Sequence, residues 1–325
     1  MSGIIATRQP RAGRRHSDVS AEAPWVRVLL IATAALFLGV AVLLPLSVVF
    51  ASAFSKGFEP FWAALWQPET ISAMELTLLT AGIAVPLNAI FGIAAAWLVS
   101  RYDFWGKSAL ITLIDLPFSV SPVISGLIFV LLFGAQGLWG KFLSAHDIKI
   151  IFAVPGIVIA TTFVTFPLVA REVLAVMQAQ GSDEEEAALT MGASGFQILT
   201  RITLPKVRWG IIYGVILCNA RAMGEFGAVS VVSGHIRGQT NTLPLHVEIM
   251  YNEYNFVGAF AVASLLASIA LLTLMVKKTL ELNVALRARR LARQADRERS
   301  SLAPPSSIRP SALAARPAAA PHPGH

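Results

Sequence analysis

Long apolar stretches alternate with shorter polar segments along most of the chain. Because an apolar helix of roughly 20 residues spans the hydrocarbon core of a bilayer, each such stretch predicts one transmembrane helix. The pattern predicts an all-α polytopic membrane protein with both chain ends on the same side of the membrane. The six predicted spans are 25–54, 71–100, 108–133, 150–176, 207–232 and 256–276.

Prolines and hydroxyl side chains interrupt some of the predicted spans. The third span contains the segment SVSPVISG at 119–126. Hydroxyls and a proline at mid-membrane depth indicate bent backbone whose freed polar groups find other partners. For Ser119 and Ser121, simple packing and a contribution to a substrate path are therefore two open alternatives.

The fifth predicted span has the most unusual polar content, CNARAMGEFG at 218–227. A charged side chain inside a membrane is costly unless it is paired or faces water. Arg221 and Glu225 are about one helical turn apart, so they can meet on one face of a helix. Either they form a structural pair, or one or both of them line a path, to which Asn219 also contributes. In the second case Arg221 supplies the positive field that an anionic substrate needs.

A polar, charged island at 182–205 separates the fourth and fifth predicted spans. Ser182 and Glu185 have the S-x-x-E spacing of a capping box, and the acidic run around them suits the positive end of a helix dipole. Gly192 is placed for a C-terminal cap. The first half of the island is therefore predicted to form a short capped helix.

A second short helix is predicted after this glycine. Ser194 and Gln197 repeat the capping pattern, and Phe196, Leu199 and Ile202 are spaced to share one face. Pro205 is predicted to end this helix. By pattern alone, the island is either an ordinary amphipathic linker or a compact knob that fits another protein surface.

The two ends of the chain lack the apolar pattern. Residues 1–24 are basic and polar, which predicts a disordered N-terminal tail. A signal peptide is the alternative, but the apolar run that follows is longer than the roughly 7–15 residues of a signal-peptide core. Residues 281–325 are rich in arginine and then in proline and alanine. This composition predicts a short interfacial helix to about Arg299 and a largely disordered tail beyond it.

Composition places the chain in the membrane class. Apolar residues make up 55% of it and charged residues 14%, against roughly 25% charged residues in soluble domains. The net charge of +7 comes from basic residues beside apolar runs and in the tails. That distribution is typical of membrane orientation and not of nucleic-acid binding. The single cysteine, Cys218, excludes an intrachain disulfide, and no metal site is predicted because His146 and Asp147 have no third ligand nearby.

Basic residues are unequally distributed between the two sides of the predicted topology. One side holds the basic tails together with Arg27, Arg101, Lys107, Arg171, Arg201, Lys206 and Arg208. The other side holds Lys56, Lys141, Lys149 and Arg237. Because positive charge is enriched in cytoplasmic segments, both termini and the island at 182–205 are predicted to be cytoplasmic.

The island also matches a known spacing. Glu-Ala-Ala, then three residues, a glycine, nine residues and Ile-Thr-Leu-Pro resemble the EAA loop of bacterial ABC importer permeases. The matching residues are Glu186, Ala187, Ala188, Gly192, Ile202, Leu204 and Pro205. The resemblance implies a type I ABC importer permease domain over 25–280, whose coupling helix at 182–205 docks on a cytoplasmic ATPase.

Longer sequence segments make this resemblance more specific. The segments 115–126, 163–172, 177–193 and 218–255 are similar to W-type permease subunits of sulfate/thiosulfate importers. The Gly-Glu-Phe-Gly core is shared with molybdate permeases and with T-type sulfate subunits. The strings SDEEEAALT and HVEIMYNEYN separate this chain from both of those groups.

The resemblance implies a subunit of a larger importer in the bacterial inner membrane. Its expected partners are a T-type permease subunit that completes a heterodimer, a dimer of a cytoplasmic ABC ATPase, a periplasmic sulfate/thiosulfate-binding protein and membrane lipid. The chain has no phosphate-binding loop, so the partner ATPase is expected to bind and hydrolyse ATP with Mg. We expect no catalytic residue and no cofactor in this chain.

Other functions fit parts of the same pattern. A permease for another oxyanion, such as molybdate or tungstate, shares the Gly-Glu-Phe-Gly core. An ion-gradient-driven transporter typically shows an internal repeat with paired broken helices, and the sequence shows no convincing repeat. A scaffold protein without transport activity is a third alternative.

Overall fold

The computed structural model describes residues 24–302, with side chains beyond 282 described only at 286 and 294. The helices in this range are α1 (Pro24–Ala53), α2 (Phe58–Leu65), α3 (Pro68–Arg101), α4 (Lys107–Ser119), α5 (Pro122–Phe133), α6 (Gly140–Ala145), α7 (Val154–Gln180), α8 (Asp183–Thr190), α9 (Gly195–Ile198), α10 (Leu204–Met223), α11 (Gly227–Val232), α12 (Leu243–Asn252) and α13 (Phe256–Leu302). A π-helical turn, Leu199–Thr203, joins α9 to α10. The described residues contain no strand, which confirms the all-α prediction.

The apolar spans recur as helices with shifted ends. Among the described residues, four helices are long and apolar enough to cross a membrane, and five if α4 and α5 form one span bent by 110°. The four are Trp25–Ala53, Pro68–Arg101, Val154–Gln180 and Phe256–Leu282. The polytopic prediction is confirmed. The bend between α4 and α5 falls within the SVSPVISG segment, as the hydroxyls and proline indicate.

The predicted fifth span differs from the structure. In the structure, the helix in this region, α10, begins earlier, at Leu204. It ends at Met223, and a separate helix, α11, begins at Gly227, so the predicted span is divided. α10 carries three basic residues, Lys206, Arg208 and Arg221, within its 20 residues.

One continuous helix follows residue 256 where the sequence predicts two. α13 extends to Leu302, past the expected boundary near Lys278. Neither glycine nor proline occurs between 277 and 302, so the backbone has no residue that favours an interruption. Contacts divide the chain after Ala270 into two compact units, and the described part of the second is the C-terminal portion of this helix. The tails at 1–23 and 303–325, for which disorder is predicted, lie outside the described residues.

One core cluster of the first unit lies between α3, α7 and α10, which meet partly through small side chains. Its buried residues include Ala81, Ala96, Val169, Cys218 and Ala222. Small residues at helix interfaces allow the backbones of membrane helices to approach closely. A Cβ at Gly92 would lie 3.1 Å from the Ala170 nitrogen, so α3 and α7 meet at a position that has little room for a side chain.

A polar contact links the same three helices. Asn88 of α3 donates from Nδ2 to Thr165 Oγ1 of α7 at 2.7 Å, and the same nitrogen lies 3.5 Å from Cys218 Sγ of α10. Thr165 in turn donates to the Thr161 carbonyl at 2.7 Å. Buried hydrogen bonds of this kind fix how membrane helices are placed relative to one another.

The two interrupted spans pack against each other at their breaks. A Cβ at Gly227, the first residue of α11, would lie 2.9 Å from Pro122 Cβ at the start of α5. One turn further along α5, a Cβ at Gly126 would lie 2.7 Å from the Ala228 carbonyl oxygen. The bend between α4 and α5 and the break between α10 and α11 therefore lie side by side.

Candidate functional site

The polar island folds as α8 and α9, joined by a turn at Gly192. This glycine has φ +86°. The Gly192 N–H donates to the Leu189 carbonyl at 3.0 Å and the Ala193 N–H to the Ala188 carbonyl at 3.1 Å. A left-handed residue with such closing hydrogen bonds is a common helix terminator. The predicted glycine cap is confirmed.

Of the two predicted capping boxes, only the second forms. The Gln197 N–H donates to Ser194 Oγ at 3.4 Å, and the Ser194 N–H donates to Gln197 Oε1 at 2.9 Å. The first box is wrong, because Ser182 has φ −117° and ψ −2° and makes no cap bond from its side chain. An N-cap residue needs an extended backbone to direct its oxygen at the first turn. Ser182 instead donates from Oγ to Glu186 Oε1 at 2.5 Å.

The helix does not end at Pro205, contrary to prediction. α9 continues through the π turn into α10, and the Leu204 N–H donates to the Leu199 carbonyl across that wider turn. Pro205 is the second residue of α10. A proline is tolerated where the regular hydrogen-bond ladder is already interrupted, because its missing N–H then leaves no regular bond broken.

The residues of the EAA spacing divide into outward-facing and inward-facing positions. The exposed ones are Glu186, Ala187, Gly192 and Pro205. Ala188 is buried, and Ile202 and Leu204 are half-buried. The residues that match the EAA loop therefore include both surface residues and residues that pack inside the island.

Three apolar side chains of the island are exposed, although the sequence pattern did not predict it. Leu189, Met191 and Phe196 are 63%, 81% and 74% exposed. Phe196 was expected to share one apolar face with Leu199 and Ile202, yet it is exposed while those two are half-buried. Exposed apolar side chains on an otherwise polar segment are typical of a protein contact surface. We call these three residues the apolar tip.

The acidic residues of α8 have different surroundings. Glu184 lies 3.2 Å from the Lys206 ammonium. Glu185 is buried, and both of its carboxylate oxygens contact Arg101 of α3. Glu186 is exposed. Among the described residues, Glu184 and Glu185 pair with cations, whereas Glu186 accepts a hydrogen bond from Ser182.

The charged pair predicted in the fifth span forms at the break between α10 and α11. Arg221 Nη2 lies 3.1 Å from Glu225 Oε2. The Ala228 N–H donates to Glu225 Oε1 at 3.1 Å, so the carboxylate also holds the first turn of α11. Asn219 lies on the same helix and contacts Met223 Sδ at 3.7 Å.

Ser119 and Ser121 lie exposed at the bend between α4 and α5. This bend packs against the break between α10 and α11, so Ser119 and Ser121 lie at a break that adjoins the break beside Arg221 and Glu225. That region has a buried acidic group, Glu225, and a partly exposed basic group, Arg221.

A second ion pair was not predicted. Arg171 of α7 contacts Asp115 of α4 with two nitrogens, Nε to Oδ1 at 2.5 Å and Nη2 to Oδ2 at 2.5 Å. The Arg171 guanidinium also lies 5.6 Å from the ring centroid of Phe118. The sequence signal for this ion pair is the presence of opposite charges in two neighbouring apolar spans. By its charge and position in the sequence, Arg171 was instead predicted to lie at the cytoplasmic edge.

A buried polar group lies near the opposite end of α3 and was also missed. The Thr70 hydroxyl donates its hydrogen to the Ala64 carbonyl at 2.9 Å. Its oxygen therefore accepts the hydrogen bond from His246 Nε2 at 3.0 Å. His246 Nδ1 then accepts from Asn241 Nδ2 at 3.2 Å. This network matches a neutral imidazole protonated on Nε2. Burial lowers the pKa of His246.

A family model described as the binding-protein-dependent transport system inner membrane component matches residues 88–281. The chain belongs to this family. Its members are inner-membrane components by that description, and the apolar helices of this chain agree with it.

Within this family, relatives of comparable length carry sulfate permease names. The chain is 49% identical over 257 residues to the sulfate transport system permease protein CysW of Escherichia coli (strain K12), covering 79% of this chain and 88% of that protein. It is 52% identical over 256 residues to CysW of Synechocystis sp., covering 79% and 93%. Identity with the sulfate transport system permease protein CysT of Escherichia coli (strain K12) is 34% over 253 residues, covering 78% and 91%.

A solved structure shares the fold at low identity. A chain of a bacterial alginate ABC transporter, crystallised with an alginate pentasaccharide-bound periplasmic protein, aligns with a TM-score of 0.68 and 17% identity. The alignment covers 80% of this chain and 95% of that chain. The fold of this chain is therefore that of an ABC importer permease.

Proposed function

We propose that the chain is the W-type permease subunit of an ATP-driven sulfate importer. The observation that carries the proposal is the identity of 49% and 52% with two CysW proteins over most of both chains, against 34% with a CysT protein. The difference favours the W type. Thiosulfate, which resembles sulfate in charge and shape, is proposed as a second substrate.

The island at 182–205 is proposed as the docking element for the ATPase. Its apolar tip is exposed, and Glu186 presents a carboxylate beside it. An exposed apolar centre with a charged rim is the usual composition of a protein interface. Gly192 sets the turn between the two short helices, so it fixes how the two parts of this surface face a partner.

The position of this island supports a proposed orientation of the chain. Arg101, at the end of α3, donates from Nη2 to the Gly181 carbonyl at 2.9 Å, so that end of α3 lies on the same side of the membrane as the island. The excess of basic residues on this side favours the cytoplasm. We therefore assign the island and both termini to the cytoplasmic side.

The anion is proposed to pass near the two adjacent helix breaks. Arg221 keeps nearly half of its side chain exposed and supplies positive charge there, while Glu225 holds it in place and is itself buried. Ser119 and Ser121 add hydroxyls at the neighbouring bend. A partly exposed guanidinium attracts a divalent anion. Its carboxylate partner offsets part of the positive charge, so the anion is bound weakly enough to be released.

Partners complete the proposed transporter. A T-type permease subunit forms the other half of the membrane domain, a dimer of ABC ATPases binds and hydrolyses ATP with Mg, and a periplasmic protein delivers the anion. Closing of the ATPase dimer moves the docking element, and the membrane helices switch from inward-facing to outward-facing by a rigid-body rearrangement.

The test is purification of the tagged chain followed by uptake measurements in liposomes. We expect an ABC ATPase and a second permease to purify with it, and ATP-dependent uptake of radiolabelled sulfate that unlabelled thiosulfate inhibits. Uptake that prefers molybdate or tungstate would reassign the substrate. Uptake that persists without ATP, driven by an ion gradient, would overturn the importer assignment.

A further inference from the structure

The docking element is attached to the membrane domain through Glu185. Arg101, the last residue of α3, contacts both carboxylate oxygens of Glu185, with Nη2 at 3.0 Å from Oε1. Thr203, in the π turn after α9, donates from Oγ1 to the same Oε1 at 2.8 Å. One carboxylate therefore joins α3, α8 and the start of α10. We call Arg101, Glu185 and Thr203 the anchor cluster.

The anchor cluster is shielded from solvent. The side chains of Arg101 and Glu185 are 13% and 9% exposed, and Thr203 is buried. A buried ion pair with further hydrogen bonds holds its partners in one geometry, because separating them leaves charges without compensation. By contrast, the Glu184 side chain is 66% exposed beside Lys206, so that pair restrains the island weakly.

α3 continues from the anchor cluster through the core to the opposite side of the membrane. Midway, Asn88 binds Thr165 of α7 at 2.7 Å. Near its other end, Thr70 accepts a hydrogen bond from His246 of α12 at 3.0 Å. A displacement of α3 at the cytoplasmic end is therefore passed to polar contacts along the length of the helix.

We propose that the anchor cluster transmits movement of the docking element to α3 during transport, and that Glu185 is a positioning residue for this step. The inference rests on the proposed function. Docking itself uses the outward-facing surface of the island, while the inward-facing Glu185 determines whether the docked island moves α3. Removal of the carboxylate charge is expected to separate ATP hydrolysis from sulfate uptake.

The test compares Glu185→Gln with Glu184→Gln in the complete complex reconstituted in liposomes. Both changes remove one acidic charge from α8, but only Glu185 belongs to the anchor cluster. For Glu185→Gln we expect the ATPase to purify with the permease in the wild-type ratio, sulfate uptake to fall about tenfold, and ATP hydrolysis to fall by less than about threefold. Glu184→Gln is expected to keep the wild-type number of ATP molecules hydrolysed per sulfate, because Glu184 lies outside the anchor cluster.

A second pair of variants tests the partner residue. Arg101→Met is expected to raise the number of ATP molecules hydrolysed per sulfate as Glu185→Gln does, and Arg101→Lys, which keeps the charge, to raise it less. A merely structural role would lower uptake and hydrolysis by the same factor, and that result would overturn the inference.

Two other results separate this inference from the proposed function. Loss of the ATPase from the Glu185→Gln complex would assign the carboxylate to docking and overturn the inference alone, as would wild-type uptake by this variant. Failure of the wild-type chain to bind any ATPase would overturn the proposed function itself.

Discussion

Arg221 Nη2 lies 3.1 Å from Glu225 Oε2, yet the two side chains are 45% and 1% exposed. The pair is therefore asymmetric. Glu225 is enclosed by protein and also accepts from the Ala228 N–H, whereas Arg221 retains an open side toward other groups. Loss of the arginine leaves a buried carboxylate without its cation, while loss of the carboxylate leaves an arginine that solvent or an anion can reach.

We expect Arg221→Ala to lower sulfate uptake at least about tenfold, because it removes the positive field at the helix breaks and leaves Glu225 unpaired. Adding Glu225→Ala removes the unpaired charge. The double variant is expected to recover the amount of assembled complex, measured by size-exclusion chromatography, but not uptake. Recovery of uptake as well would show that the pair is structural only.

Gly192 is expected to be replaceable only by residues that tolerate a left-handed backbone. Its φ is +86°, and no atom of the described residues lies within 4 Å of an ideal Cβ, so the cost of a substitution is conformational and not steric. Gly192→Val is expected to cost about 1–2 kcal/mol locally and to weaken ATPase binding. Gly192→Asn is the matched control and is expected to bind nearly as wild type. Equal binding by both would contradict the need for this backbone geometry.

Glu186→Lys is expected to abolish co-purification of the ATPase while the permease still inserts into the membrane. Glu186 is the exposed carboxylate beside the apolar tip, and reversal of its charge places like charges against a cationic partner. Glu59→Lys makes the same reversal at an exposed position on α2 and is expected to leave ATPase binding unchanged. Retention of the ATPase by Glu186→Lys would remove this residue from the proposed interface.

The contact between the two helix breaks predicts a steric penalty at Gly126. A Cβ there would lie 2.7 Å from the Ala228 carbonyl oxygen, so Gly126→Ala is expected to destabilise the protein by about 1–3 kcal/mol. Gly82→Ala is the control, since no described atom lies within 4 Å of its Cβ and alanine favours a helix. Thermal unfolding in detergent measures both changes. A melting temperature of Gly126→Ala equal to that of Gly82→Ala would show that the breaks separate easily.

His246 predicts a pH dependence of stability. Burial lowers its pKa, with Glu69 and Glu253 acting to raise it and Arg237 to lower it. Because the folded chain holds this imidazole neutral, the unfolded chain binds more protons below about pH 6.5, and stability falls as the pH falls through that value. We expect the melting temperature to be constant above about pH 7 and to decrease below about pH 6.5.

The matched variant for this effect is His246→Gln. It is expected to be less stable at neutral pH, because the hydrogen bond to Thr70 at 3.0 Å is altered. Its melting temperature is expected to vary less between pH 7 and pH 5.5. If the variant and the wild type lose stability equally over this range, His246 is not the group that titrates.

Features that depend on neighbouring residues were predictable from the sequence. The glycine cap at Gly192 and the capping box at Ser194 are local, because the groups that form them lie within a few residues of each other. The apolar spans were predictable for the same reason, since hydropathy is read within a single stretch. The bend within SVSPVISG follows from one proline and its hydroxyl neighbours.

Features that depend on distant residues were not predictable. Glu185 has the spacing of a capping residue, but a stronger partner, Arg101, lies 84 positions earlier in the chain and takes its carboxylate away from Ser182. His246 and Thr70 are 176 positions apart. Without the fold, no rule of spacing brings such residues together.

The neighbouring carboxylates of α8 impose a limit on the length of the island. Glu184 reaches Lys206, Glu185 faces Arg101 and Glu186 faces outward. Since each residue of a helix advances by about 100° around the axis, inserting or deleting one residue ahead of this run would give each carboxylate its neighbour's direction. Chimeric permeases that exchange this island with that of a relative must therefore keep the residue count from the end of α7 to the acidic run, even where the composition is free to change.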